Sequence, residues 1–379
     1  MTLRVYLIAG EPSGDLLGSR VMRALKRQTH GQVEFLGVGG ETMHDEGLKS
    51  LFDIRNLAVM GFFEVIPSIP KILRHLNEIM ADIQKKKPDI IMTIDSYSFS
   101  IRVHKKLKKM NLGIPHVHCV APQVWAWKKG RAKILPRYID HLFCLLPDEE
   151  KYFKPYGLKM TFIGHPVIEG GADKGSQKDF RQKYNLKKTT EILVLLPGSR
   201  KNEVARLMPV FKTVCEQLQK THPHLFVVIP SVKTVAPSVC EMLKNWHVPH
   251  TVILGEKKRY DAFAAADVAI AASGTVSLEL SLAKVPHLIA YRLNPMTGWL
   301  AKKVLKIRFV NLINILQNKE VIPELLQDKC TVQNLVQTTE KLFKNPKQNV
   351  QKSLDKLKGN TLPSDKMAHV LIHLAKDEK

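Results

Sequence analysis

ILVLLPGSRKNE, residues 192–203, is the stretch on which the fold turns. Ile192 to Leu196 form an unbroken apolar run of the length and character of a strand buried on both faces. The run stops at Pro197, Gly198, Ser199 and Arg200, and a helical pattern begins at once. Its apolar residues are Val204, Leu207, Met208, Phe211, Val214, Cys215 and Leu218, spaced as the stripe of a helix packed along one face. A glycine, a hydroxyl and a guanidinium therefore share a tight turn between a buried strand and a helix N-terminus. Free N–H groups and the positive end of the helix dipole point outward there, so open α/β sheets receive anions at such turns. A second turn of this kind follows downstream. Val268 to Ala272 reads as a strand, and Ser273, Gly274 and Thr275 lead into the helix VSLELSLAKV. Two anion-receiving turns in one half of the chain point to a diphosphate, and with it a nucleotide.

Outward from these turns, strand and helix patterns alternate almost throughout. Strands are expected at Arg4 to Ala9, Val33 to Val38, Ile90 to Ile94, His116 to Val120 and Leu142 to Leu145. Helices are expected at Leu16 to Lys26, Ile69 to Lys85 and Ile101 to Lys108. Alternation at this spacing requires crossover connections, and hence parallel sheets covered on both faces. The Gly-rich segment Gly164 to Ser176 separates two such series and reads as an interdomain linker. At 379 residues the chain suits two α/β domains of roughly 150–200 residues each. The expected architecture is two doubly wound domains facing across a cleft.

A hydrophobic content of 44% with 25% charged residues is that of a globular chain, and no run of about 18 apolar residues offers a membrane span. The opening MTLRVYLIAGEPSGD reads as a first strand; Glu11 and Asp15 are foreign to a signal peptide. Cys119, Cys144, Cys215, Cys240 and Cys330 lack metal spacing and read as reduced thiols of a cytoplasmic protein. The net charge of +23 is either a solvated basic surface or an attraction to an anionic partner. Zinc-finger spacing, RNP-type aromatics and Arg-rich tracts are all missing, so an acidic membrane surface is favoured and nucleic acid is not expected.

Several further residues carry chemistry. The first loop holds Gly10, Glu11, Ser13, Gly14 and Asp15, without dinucleotide spacing. Its carboxylates would repel a pyrophosphate but accept hydrogen bonds from sugar hydroxyls; the plainer reading is a turn with Asp15 near a helix N-terminus. Asp95 ends the strand Ile90 to Ile94, at the sheet edge where ligands bind. It is either a general base toward a substrate hydroxyl or a cap for the next helix. Arg200, Ser273, Gly274 and Thr275 form the candidate diphosphate site. Glu279, one turn into the following helix, suits a ribose diol or a dipole contact, and Glu203 suits orientation of the Arg200 guanidinium. Val59, Met60, Phe62, Phe63, Ile66 and Ile69 are either core or an apolar lip for a bilayer or acyl chains, with Lys71 and Arg74 nearby. Trp125 and Trp127 read as core before a stacking platform. His116, His118 and Cys119 have no second cluster to complete a metal site, so no metal is expected.

Taken together these residues resemble the lipid-A-disaccharide synthases, glycosyltransferases of family 19 with the GT-B fold. The resemblance spans nearly the whole chain. It is carried by AGEPSGD (9–15), VMGFFEV (59–65), Ile94-Asp95, VAPQVWAW (120–127), KYFKPYG (151–157), FIGHPV (162–167), LPGSRKNE (196–203), AASGTVSLE (271–279) and VIPELLQ (321–327). It implies an α/β GT-B protein: an acceptor-binding Rossmann-like domain at 1–168, a UDP-sugar-binding one at 169–352, and a helical tail at 353–379 returning to the N-terminal domain. The implied reaction moves 2,3-diacylglucosamine from its UDP conjugate to the 6-hydroxyl of 2,3-diacylglucosamine 1-phosphate (lipid X), with inversion. It would run without a cofactor at the cytoplasmic face of a Gram-negative inner membrane, the enzyme being peripherally bound and a homodimer.

By the same resemblance Asp95 is the base, Arg200 with residues 273–275 takes the leaving diphosphate, Glu279 holds the ribose, and Asn314 matches an asparagine near the active site. Two segments depart from the family pattern. Ser96 to Ser100 read Ser-Tyr-Ser-Phe-Ser where Ala-Pro-Asp-Phe-Asn is common, and Ile313 stands where a proline precedes the asparagine. The alternatives are another GT-B enzyme on UDP-N-acetylglucosamine, such as a 2-epimerase or a polyprenyl-linked transferase, and a basic non-catalytic binding module.

Overall fold

The structure, a computed structural model, describes residues 2–54, 57, 65–125, 130–272, 274–293 and 308–377, with the backbone alone at 65–69 and 377. Its contacts divide the chain into two units, Met1–Pro166 with Leu357–Lys379, and Val167–Lys356.

The first unit holds β1 (Leu3–Ala9), β2 (Val33–Val38), β3 (Ile90–Ile94), β4 (His116–Cys119), β5 (His141–Cys144) and β6 (Lys159–Phe162). All pair in parallel, in the order β2-β1-β3-β4-β5-β6. Its helices include α1 (Pro12–Gln28), α2 (Glu41–Asp45), α3 (Val65–Lys86), α4 (Tyr97–Met110), α5 (Arg131–Ile134) and α6 (Glu150–Phe153). The continuous apolar reading of β1 has a direct cause, since both of its faces are covered. Val5, Leu7 and Ala9 share one core with Val21, Met22 and Leu25 of α1 and with Met367 and Leu371 of the helix Pro363–Asp377. Tyr6 and Ile8 face the other way, onto Leu76, Ile79 and Ile83 of α3 and Val103 and Leu107 of α4. The C-terminal helix thus belongs to the first unit, and Arg27 clamps it through Asp365 at 2.6 Å.

The second unit repeats the plan. It holds β7 (Glu191–Leu196), β8 (Leu225–Ser231), β9 (His250–Leu254), β10 (Val268–Ala271), β11 (His287–Tyr291) and β12 (Glu324–Leu326), parallel in the order β12-β11-β10-β7-β8-β9. α7 (Gln177–Lys183) precedes them, and between them run α8 (Lys201–Thr221), α9 (Ala236–Met242), α10 (Glu256–Ala265) and α11 (Thr275–Leu282). The stripe read from Val204 to Leu218 is the buried face of α8. Each such side chain contributes about 1.5–3 kcal/mol through burial.

Register is pinned by a repeated device. Asp89, Asp140 and Asp267 stand just before β3, β5 and β10, and each accepts the N–H of a neighbouring strand: Arg4 at 2.8 Å, His116 at 2.7 Å and Ile192 at 2.7 Å. Helix starts differ from the sequence reading. α1 begins at Pro12 rather than Leu16, because proline at a first helical position forfeits no hydrogen bond. α4 begins at Tyr97 rather than Ile101, because Asp95 and Ser96 turn the chain abruptly out of β3.

The strand orders place the functional loops. In the first sheet the direction of winding reverses between β1 and β3, where Ala9 pairs with Ile94. In the second it reverses between β7 and β10, where Leu196 pairs with Ala271. Open α/β sheets bind ligands beyond the carboxyl ends of strands at such switch points.

Candidate active site

At the first switch point the loop after β1 and the turn after β3 touch. A β-carbon on Gly10 would fall 2.4 Å from Ser96 Oγ, and one on Gly14 would fall 3.2 Å from the Ile94 carbonyl oxygen. Only a bare backbone fits at position 10. Asp95 (φ +58°) and Ser96 (φ +43°) are consecutive left-handed residues that carry side chains, a conformation that costs free energy and is typical of functional turns. Asp95 Oδ1 accepts the Ser96 N–H at 2.8 Å, and Ser13 Oγ donates toward Oδ2 at 3.4 Å. Ser100 Oγ donates to the Asp95 carbonyl at 2.8 Å. Ser96 Oγ donates to Glu11 Oε1 at 3.3 Å. The residue at the N-cap of α4 is Ser96, and no side chain caps that helix. The capping alternative for Asp95 therefore does not describe this turn, and its carboxylate stands half-buried at the sheet edge.

Beneath Asp95 the buried histidines are neutral. Thr93 Oγ1 lies 2.8 Å from His104 Nε2 and 2.7 Å from His118 Nδ1. Burial drives the His118 imidazole down to about 4 and lowers His104 and His116 as well, so these rings carry no charge at neutral pH. Among the described residues no group of three or more His, Cys, Asp or Glu is arranged to hold a metal ion.

At the second switch point two glycines do the same work. Gly198 (φ +113°) and Gly274 (φ +132°) adopt backbone conformations that side chains disfavour. Each opens the turn before a helix, and Arg200 and Gly274 are the N-cap residues of α8 and α11. Arg200 is 57% exposed, while Glu203 is 13% exposed and organises the turn. Glu203 Oε2 accepts the N–H groups of Ser199 (3.1 Å) and Arg200 (3.3 Å). Its Oε1 accepts from Arg200 Nη1 at 3.3 Å and from the Tyr291 hydroxyl at 3.1 Å. On α11, Glu279 Oε1 accepts from Arg259 Nη2 at 3.0 Å, and the Tyr260 hydroxyl oxygen lies 3.5 Å from it.

Two residues expected to face a ligand, Asp15 and Asn314, are instead engaged by the protein. Asp15 is buried: its Oδ1 accepts from the N–H groups of Gly40 and Met43, and its Oδ2 from the N–H and hydroxyl of Thr42. It holds the start of α2 and has no oxygen turned to a sugar. Asn314 is fully buried; it accepts from the N–H groups of Val321 and Ile322 and donates to Glu324 and the Ile322 carbonyl. Glu203 organises Arg200, as its spacing suggested, and its carboxylate would also repel a phosphate. Thr275 and Gly274 are exposed at the start of α11. Ser273, Val59, Met60, Phe62, Phe63 and Trp127 lie outside the described residues, as do the side chains of Ile66 and Ile69. Sequence reasoning missed Tyr291 and Arg259, which reach Glu203 and Glu279 from 88 and 20 residues away.

A sequence model of the lipid-A-disaccharide synthetases matches residues 5–369. The lipid-A-disaccharide synthase of Rhodospirillum centenum is 44% identical over 344 residues, covering 91% of this chain and 86% of that protein. The one from Paramagnetospirillum magneticum is 47% identical over 341 residues, covering 89% and 87%. In structure the chain is similar to the S. aureus MnaA–UDP co-structure, with a TM-score of 0.64 at 14% identity over 99% of this chain and 97% of the other. That last likeness is one of fold.

Proposed function

The chain belongs to the lipid-A-disaccharide synthase family, and from that premise we propose how its two switch points share the reaction. The protein is an inverting glycosyltransferase of the GT-B type. It moves 2,3-diacylglucosamine from UDP-2,3-diacylglucosamine to the 6-hydroxyl of 2,3-diacylglucosamine 1-phosphate, and releases UDP.

The placement of Asp95 and Arg200, each just beyond a strand's carboxyl end at the switch point of its own sheet, carries the reading. Asp95 takes the proton of the acceptor 6-hydroxyl as that oxygen attacks the anomeric carbon. The bond from that carbon to the diphosphate oxygen breaks, and the electron pair leaves with UDP. A positioned base of this kind is worth about 10²–10⁴ in rate. Ser13 and the Ser96 N–H hold the carboxylate in place, and the neutral imidazoles below add no competing charge. In the second unit the exposed Arg200 guanidinium and the N-terminal amides of α8 and α11 stabilise the departing diphosphate. Glu279 receives the ribose hydroxyls. The first unit is accordingly the acceptor side and the second the donor side.

No helix among the described residues is long and apolar enough to cross a membrane. Peripheral attachment is supported by the net charge of +23 and by Leu73, 49% exposed on α3 and four residues after the apolar stretch 59–69 in the sequence. Flotation with anionic liposomes should weaken with salt and with serine at Phe62 and Phe63; indifference to both treatments argues against that surface.

The activity itself is tested by UDP release from UDP-2,3-diacylglucosamine with lipid X present or absent, in buffer with EDTA. Release that depends on lipid X and yields a disaccharide phosphate is expected. Release indifferent to lipid X, or inversion at C2 of UDP-N-acetylglucosamine, would replace this reading with the epimerase alternative.

A further inference from the structure

We infer that Arg259 is a positioning residue for nucleotide recognition: it sets the Glu279 carboxylate that receives the ribose. The inference rests on the donor-site reading given above and extends it to a residue on a different helix.

Glu279 stands four residues beyond Thr275 on α11, on the same helix face and about 6 Å farther along the axis. That offset is comparable to the span of a pentose. A diphosphate at the start of the helix therefore leaves its sugar hydroxyls beside Glu279. A free glutamate on a helix samples several rotamers, and a carboxylate that must accept from two adjacent hydroxyls cannot afford that freedom. The structure removes it. Arg259 Nη2 donates to Glu279 Oε1 at 3.0 Å, with the two side chains only 26% and 15% exposed. The Tyr260 hydroxyl oxygen lies 3.5 Å from the same oxygen and donates to Glu256 Oε1 at 2.6 Å. Glu256 in turn lies 3.8 Å from Arg259 Nη2. Arg259 also keeps a buried Nε without a hydrogen-bond partner among the described residues.

Positioning predicts a property that stability does not: discrimination of the ribose. The probe pair is UDP and 2′-deoxy-UDP, titrated calorimetrically into the full-length protein. Wild type should prefer UDP by on the order of tenfold, as expected for a hydrogen bond to a charged acceptor. Arg259→Met should bring that ratio close to one while retaining diphosphate-dependent binding, and Arg259→Lys should restore part of it. Glu279→Gln separates the inference from its premise. If wild type shows no ribose preference, or Glu279→Gln keeps the wild-type ratio, the ribose role of Glu279 falls and the positioning role with it. If Glu279→Gln collapses the ratio but Arg259→Met lowers both affinities equally, Arg259 is a structural partner only and the inference is overturned. Should Arg259→Met fail to fold, Arg259→Lys decides: an unchanged ratio contradicts positioning, and an intermediate ratio supports it.

Discussion

Gly10 lies so close to Ser96 that a β-carbon at position 10 would sit 2.4 Å from the serine Oγ and 2.5 Å from its Cβ. The loop after β1 and the turn carrying Asp95 are thereby one packed unit. Adding a methyl group at Gly10 must push Ser96, and with it the Asp95 carboxylate that accepts the Ser96 N–H. Gly10→Ala should cost about 1–3 kcal/mol of stability as overpacking and lower kcat at least tenfold. UDP affinity should stay constant, since the donor turns belong to the other unit. Wild-type kcat by steady-state assay would mean that the contact does not position Asp95.

Asp15 should matter through stability. Its two oxygens satisfy three N–H groups and one hydroxyl at the start of α2. Asp15→Ala leaves those donors unpaired in a buried place, at a cost of about 2–4 kcal/mol. A lowered urea midpoint is the expected result. A midpoint at the wild-type value would return Asp15 to the list of ligand contacts.

The imidazoles make the protein acid-sensitive. Desolvation holds His118, His141, His165 and His287 at about 4, and lowers His104 and His116 from the ordinary 6.5. Between pH 6.5 and 4 the unfolded chain binds protons that the folded chain does not, so this stability is present above 6.5 and lost as pH falls. Glu149 acts in the opposite sense. Burial raises its carboxyl to about 7, so it favours the folded state as pH falls from 7 toward 4.5. Each fully buried ring is worth on the order of 1 kcal/mol between pH 7 and 5.5, and Glu149 offsets one or two of them. Thermal melts should therefore shift downward over that interval. A flat profile would show that the rings are solvated.

Tyr291 should tune the diphosphate turn. Its hydroxyl donates to the carboxylate that also receives Arg200. Tyr291→Phe removes one hydrogen bond worth about 0.5–1.5 kcal/mol, which is roughly two- to tenfold in UDP affinity. Arg200→Ala should weaken UDP further still with the fold intact. UDP affinities equal to wild type in both variants, by calorimetry, would move the donor site elsewhere.

Much of this was legible in sequence because it is local. The apolar run Ile192 to Leu196, the turn to Arg200 and the helical stripe from Val204 follow one another along the chain, and periodicity reports them directly. The adjacency of the two anion turns followed once β7 and β10 were strands of one parallel sheet. What stayed hidden depends on tertiary pairing. Asp15 reads as an exposed loop carboxylate until α2, some 25 residues on, supplies its N–H donors. Asn314 looks like a ligand residue until the turn at Val321 and Ile322 folds onto its amide. Arg259 and Tyr291 carry no local signal, because each meets its glutamate only through helix or strand packing.

The central claim is that Asp95 is the base. The most direct test is kcat of Asp95→Asn with UDP-2,3-diacylglucosamine and lipid X, alongside its affinity for UDP. The amide oxygen can still accept the Ser96 N–H, so the turn should survive while basicity is lost. A fall of about 10²–10⁴ in kcat at unchanged UDP affinity is the predicted result. Turnover near the wild-type rate would contradict it.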